Sequence, residues 1–266
     1  MRSLAAEKKR KIYSWSPQAL TLTLSQLERE PKQTVALVTK ASRGYKTHCR
    51  ATQKVKILPV TLEGQHVRLE PLSLAHEEAL IAAASDGELW NSTVTVVPDR
   101  NVMAAYIQAA LKGQAEGREL PFVIIRKTLS AESPNLSSAN TVGTTRFYDI
   151  FPADRKAAIG YTWLAKSAQR SAVNTETKLL LLTHAFEIWN CVRVELITDV
   201  LNQQSRAAIL RLGAKQEGIL RKHLVLPSGR VRDSVVFSII AEEWPEVKEK
   251  LSAGWQKSDR EGGWVR

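Results

Sequence analysis

Gln169-Arg170-Ser171-Ala172-Val173-Asn174-Thr175-Glu176-Thr177-Lys178-Leu179-Leu180-Leu181-Leu182 is the stretch that decides how the chain is read. It follows Ile159-Gly160-Tyr161-Thr162-Trp163-Leu164, which reads as a strand, and it opens a helix. Leu179, Leu182, Phe186 and Trp189 recur at helical spacing. Asn174 is the expected N-cap, and Glu176 falls in the first turn, where the helix dipole favours a negative charge. A strand that passes through a small-residue turn into a helix N-terminus presents free backbone N–H groups, an arrangement suited to phosphate. On this stretch alone an ordinary strand–loop–helix joint reads the same way.

Working outward, Val192 to Thr198 alternates as a strand. Asn202 to Ala214 reads as a short helix with Ala208, Ile209 and Leu212 inward and Gly213 as its C-terminal stop. Upstream, His66 to Leu72 is a first strand, Ser73 caps a helix from Leu74 to about Ala84, and Val102 to Ala115 is a second helix. Pro121 to Arg126 is a strand, and Ser130 to Asn140 is a surface loop rich in Ser, Asn and Pro. Thr141 to Asp149 and Ala157 to Trp163 are two strands around a turn at Pro152-Ala153-Asp154. Gln216 to Leu226 and Val231 to Ile240 form a terminal hairpin about Pro227-Ser228-Gly229. Glu242 to Leu251 is a short helix, and Lys257 to Arg266 a tail. Strands that pair locally, with one joined through a helix to the next, predict a mixed α+β sheet with a single parallel crossover.

The chain has 266 residues and a formal charge of +11. Residues 1–56 hold 13 Lys or Arg against three Glu, so this segment alone carries +10. The remaining 210 residues hold 25 basic and 24 acidic groups, and the basic pI therefore says little about what the body binds. The extension reads as a poorly ordered tail, with an organelle transit peptide or a nucleic-acid-binding or partner-binding arm as alternatives. Cys49 and Cys191 form no CxxC or Cys/His pattern, which argues against a zinc site and a disulfide framework. No apolar run approaches the ~20 residues of a membrane span.

The order of these pieces resembles the GCN5-related N-acetyltransferases (GNAT), most of all their branch of ribosomal-protein N-terminal alanine acetyltransferases. That family's cofactor turn is Q/R-x-x-G-x-G/A. Gln169 stands at its first position, Ala172 at the first glycine and Asn174 at the second small residue. Asn202-x-x-Ser205-Arg206, followed by Leu212-Gly213-Ala214, resembles the family's Asn-x-x-Ser segment and its leucine–glycine–small ending. The resemblance covers about Leu58 to Leu251. It implies a mostly antiparallel twisted sheet with one parallel, splayed strand pair and flanking helices. The domain layout expected is a basic extension over 1–56, an acetyltransferase domain over 57–251 and a tail over 252–266.

The resemblance also implies the chemistry. Acetyl-CoA is the co-substrate, and a protein N-terminus or a small-molecule amine is the acceptor. The turn from Gln169 through Arg170, Ser171, Ala172, Val173 and Asn174 to Thr175 receives the pyrophosphate. A backbone N–H near Trp163 or Leu164 takes the thioester oxygen, Asn202 bonds the pantetheine arm, and Ser205 gives a proton to the leaving thiolate. The attacking amine must be neutral, which is easier for an α-amine of pKa ~8 than for a lysine of ~10.4. Glu195, Asp199, His223 and Asp233 are candidate bases, His223 foremost because an unperturbed imidazole titrates near neutrality. Ala172 places a methyl group where the cofactor passes. A non-catalytic member that binds CoA or a partner is therefore the alternative reading. The loops Leu89 to Pro98 and Pro227 to Arg232 are expected to shape the acceptor pocket. A cytoplasmic monomer or homodimer is expected, with no membrane association and no nucleic-acid contact except through the extension.

Overall fold

The computed structural model describes residues 57–127 and 140–261. The basic extension over 1–56, nearly all of the Ser130 to Asn140 loop and the last five residues lie outside the described residues. In chain order the elements are β1 (Leu62–Glu63), β2 (Val67–Pro71), α1 (Glu77–Ser85), α2 (Met103–Ala115), β3 (Leu120–Arg126), β4 (Thr141–Phe151) and β5 (Lys156–Leu164). Then follow α3 (Ala172–Thr183), β6 (Arg193–Asp199), α4 (Gln203–Leu212), β7 (Lys215–Val225), β8 (Val231–Ile240) and α5 (Trp244–Glu261). The helix expected to end at Leu251 thus runs ten residues further, so most of the expected 252–266 tail is helical backbone.

All eight strands form one sheet in the order β1-β2-β3-β4-β5-β6-β8-β7. Every neighbouring pair is antiparallel except β5 and β6. This is the mixed α+β sheet with one parallel crossover that the element order predicts, and α3 is the crossover helix. The terminal hairpin inserts its second strand, β8, against β6 and leaves β7 at the edge.

Two adjacent threonines in β4 show how the faces are covered. Thr144 and Thr145 point to opposite faces, as successive strand residues must. Thr144 Oγ1 meets Tyr106 Oη of α2 at 3.1 Å. Thr145 Oγ1 meets Thr162 Oγ1 at 2.8 Å, and Thr162 in turn accepts from Lys178 Nζ of α3 at 2.6 Å. So α2 lies on one face and α3 on the other. The core is built from Val67, Leu69, Phe122, Ile124, Phe147, Ile159, Leu181 and Phe237, all buried. In the turn that follows α3, Phe186 stacks on Trp244 of α5 with ring centroids 5.3 Å apart.

The decisive feature is how little of β5 pairs with β6. Only Lys156, Ala157 and Ala158 find partners, at Arg193, Val194 and Glu195. Beyond them the two strands diverge. A bulge in β5 marks the divergence: Tyr161 and Thr162 stand opposite the single residue Thr145, and Tyr161 takes φ +50°. An extra residue of this kind bends and twists its strand.

Candidate functional site

The turn after β5 leads into the N-terminus of α3. Ala168 and Gln169 close a short 3-10 turn by donating to Ala165 and Lys166 carbonyls. Asp86 ties this turn to the end of α1, its carboxylate accepting from Ser167 N at 3.0 Å, and these Ser167 bonds hold its pKa below the usual carboxylate value. Arg170 then takes the left-handed conformation, φ +57°, and is exposed. Ser171, not Asn174, is the N-cap of α3: its backbone is extended and its hydroxyl accepts from Val173 N. The expectation fails because any short polar residue before the helix can cap, and the chain turns into the helix three residues early. Asn174 and Thr175 lie within the first turn. The first helical N–H groups have no intrahelical acceptor. Among the described residues, Ser171 Oγ meets that of Val173 and no partner takes those of Arg170 and Ser171.

Ala172 is the first residue of α3 and does not have positive φ. The left-handed position of the turn belongs to Arg170. Alanine is therefore at no conformational disadvantage here. Glu176 also differs from expectation. It lies beyond the first turn, is buried, and accepts from the backbone N–H groups of Gln65, His66 and Val67, the last two at 2.7 and 2.9 Å. It latches the start of β2 to the helix instead of serving the dipole.

Along β5, Ala165 N donates to Val142 O at 2.7 Å, toward β4. Strand alternation turns the Trp163 N–H the same way and the Leu164 N–H outward, into the gap left by β6. Leu164 O is taken by the Gln169 side-chain amide at 2.9 Å, which commits Gln169 to holding the turn against the strand. Trp163 Nε1 is buried and makes no hydrogen bond among the described residues.

Across the gap, Asn202 is the N-cap of α4, accepting from Ser205 N at 2.9 Å. Its amide donates to Thr95 Oγ1 at 3.1 Å, on the loop after residues 89–91. Ser205 Oγ makes no hydrogen bond among the described residues, and the residue is half-buried.

The remaining candidates separate by their partners. Asp199 is fully buried. Although burial raises its pKa, its bonds to Arg230 and Leu201 N leave the carboxylate below its ordinary value, so it is held ionised and engaged. Asp233 accepts from Lys222 N at 2.6 Å and fixes a bulge in β7. Glu195 pairs with Arg193 at 2.9 Å. His223 Nδ1 lies 3.0 Å from Ser234 Oγ, which leaves Nε2 available.

Register places Glu195, Asp199 and the Ser234 partner of His223 on one face. Tyr148, Ala158, Glu195 and Ser238 are opposite one another across four strands, so they share the face of Thr144 and α2. Ser234 and Arg232 lie on the same face of β8, at even spacing from Ser238. Arg146, buried in β4, pairs with Glu119 at 2.7 Å and lies 4.1 Å from the ring centre of Tyr161. Tyr148 stands edge-on to Tyr161 with centroids 5.3 Å apart. Sequence reading missed Tyr148 and Tyr161, and named Arg232 only as the end of the Pro227 to Arg232 loop, whereas it lies on β8. The period-two spacing of Arg232 and Ser234 was a usable signal, but no pattern links β4 to β8.

Residues 66–215 match the family model described as an acetyltransferase (GNAT) domain. The provisionally named ribosomal N-acetyltransferase YdaF of Bacillus subtilis (strain 168) is 33% identical over 113 residues, 42% of this chain and 61% of that protein. The match thus spans less than two thirds of that relative. A crystal structure of a provisionally named acetyltransferase from T. thermophilus is 35% identical with a TM-score of 0.63, covering 74% of this chain and 97% of the other. A GCN5-related N-acetyltransferase from Brucella melitensis is 28% identical with a TM-score of 0.62, over 74% and 85%. Among the described residues no helix is long and apolar enough to cross a membrane.

Proposed function

From membership of the GNAT acetyltransferases, the family to which this chain belongs, we propose that it transfers an acetyl group from acetyl-CoA to a primary amine. A protein N-terminus is the favoured acceptor, in keeping with the name borne by its B. subtilis relative. The observation that carries this reading is the splayed pair: β5 leaves β6 after Ala158 and its free edge leads to the turn before α3, where the Arg170 and Ser171 N–H groups have no partner among the described residues. That edge suits the amides of a pantetheine arm, and the turn suits a pyrophosphate.

In this reading Arg170 to Thr175 hold the pyrophosphate, with the Arg170 guanidinium as a mobile counter-charge. The Leu164 N–H points into the gap where the thioester oxygen would gather negative charge, and a fixed donor there lowers the barrier. The neutral amine attacks the thioester carbon, the C–S bond breaks, and the thiolate takes a proton from the Ser205 hydroxyl. His223 Nε2 accepts the proton that the amine sheds. An α-amine needs less help with that proton than a lysine does. The non-catalytic alternative drew on Ala172, whose helical backbone no longer speaks for it.

The test is thiol release from acetyl-CoA against a panel of N-terminal peptides and small amines. Turnover with at least one acceptor, reduced in Ser205→Ala, supports the reading. Calorimetric binding of acetyl-CoA with no turnover on any amine would replace it by the non-catalytic one.

A further inference from the structure

We propose that Arg232 selects acceptors that carry a carboxylate near the amine; this rests on the acetyl-transfer reading above. Arg232 stands on β8, two residues before Ser234, the partner of His223, on the face of the gap that holds Tyr148 and Glu195. Its side chain is only 16% exposed, and its Nε makes no hydrogen bond among the described residues. The nearest carboxylate, Asp199 Oδ2, lies 4.0 Å away. That carboxylate is already committed to Arg230 on one oxygen and to Leu201 N on the other.

The local count is two guanidinium groups against one carboxylate. Arg230 is otherwise satisfied, donating to Thr93 O at 2.9 Å. The other groups facing Arg232 are Tyr148 and Tyr161, which are neutral acids. Glu195 acts on Tyr148 and shares Arg193 with Glu217, and among the described residues it forms no ion pair with Arg232. A guanidinium taken largely out of water without a full partner is costly, and an incoming anion would remove that cost. A carboxylate fits a guanidinium better than any neutral group, because the fork donates two parallel bonds. The anion could be the side chain of an acidic second residue in a peptide or the α-carboxylate of a free amino acid.

The experiment measures kcat/KM for matched pairs: Ala-Asp-led against Ala-Asn-led peptides, and free alanine against alaninamide. The expected preference for the acid member of at least one pair is about 10- to 100-fold. The peptide pair and the amino-acid pair identify the source. In Arg232→Gln the ratio falls to near one, chiefly through KM, and in Arg232→Lys it is partly kept. Equal kcat/KM within both pairs, or a preference that survives in Arg232→Gln, overturns the proposal. Direct titration of the same peptide pairs reads selectivity without turnover. Selective binding with no acetylation would thus leave Arg232 in place while removing the catalytic reading.

Discussion

Asn202 Nδ2 donates to Thr95 Oγ1 at 3.1 Å, joining two residues that are 107 apart in sequence. The same side chain caps α4 through Ser205 N, so one amide fixes both a helix start and the loop that faces it. Asn202→Ala is expected to lower stability by roughly 0.5–2 kcal/mol, the usual cost of a lost cap. Thr95→Val removes only the loop tie and should cost less. Denaturant titration of both variants checks this; equal losses would mean that the cap contributes little. A drop in acetyl-CoA affinity confined to the Asn202 variant would add a pantetheine contact to its roles.

Ala172→Gly separates the two readings of the cofactor turn. With Ala172 in helical backbone, glycine gains no access to a conformation that alanine lacks. It should cost roughly 0.4–1 kcal/mol through the unfolded chain and leave acetyl-CoA affinity unchanged. Thermal melting and calorimetry decide the matter. A rise in affinity would show that the methyl group does crowd the cofactor.

Lys178 is 6% exposed, and its only hydrogen bond is to Thr162 Oγ1, with no carboxylate partner among the described residues. Burial pushes its pKa down to about 7. Between that value and the unfolded value of ~10.4 the unfolded chain binds the extra proton, so stability rises with pH across this window. Below pH 7 the charged ammonium is buried and the full penalty applies. Lys178→Met should therefore stabilise the protein, by on the order of a few kcal/mol more at pH 6 than at pH 10. Melting curves at the two values test it, and a pH-independent gain would mean that Lys178 is not buried as a free amine.

Gly143 lies where β4 passes Trp163 of β5 with no room for a side chain. A Cβ there would lie 2.0 Å from Trp163 O, and the backbone has φ +156°. Gly143→Ala should cost roughly 3 kcal/mol or more and displace the strand that carries the Leu164 N–H. Urea unfolding gives the cost. A variant of near-wild-type stability would show that the two strands can part without loss.

Much of the fold was legible because its signals are local. The apolar run from Pro121 to Arg126, the alternation from Val192 to Thr198 and the Gly213 stop of α4 are short-range patterns. The turn at Gln169 to Thr175 was found for the same reason, though the cap moved from Asn174 to Ser171. What stayed hidden depends on partners far away in sequence. Glu176 looked like a first-turn acid, and only the position of β2 gives it three N–H donors. The bulge at Tyr161 and the π-helical turn over His184–Ile188 each add a residue without any compositional mark. Arg232 is distinctive only because Arg230 has taken Asp199 first.

The insertion of β8 between β6 and β7 also sets an order of events. Until residue 240 is available, β6 lacks its antiparallel neighbour along its whole length. Ribosomes add ~5–20 residues per second, and the exit of this last strand follows that of β6 by about 40 residues. For those seconds the outer edge of β6 has no partner. A strand edge of this kind is a template for association with other chains. The chain is thus most exposed to association between the emergence of β6 and the docking of β8, and the part of the sheet that carries Arg232 and His223 forms only with that docking.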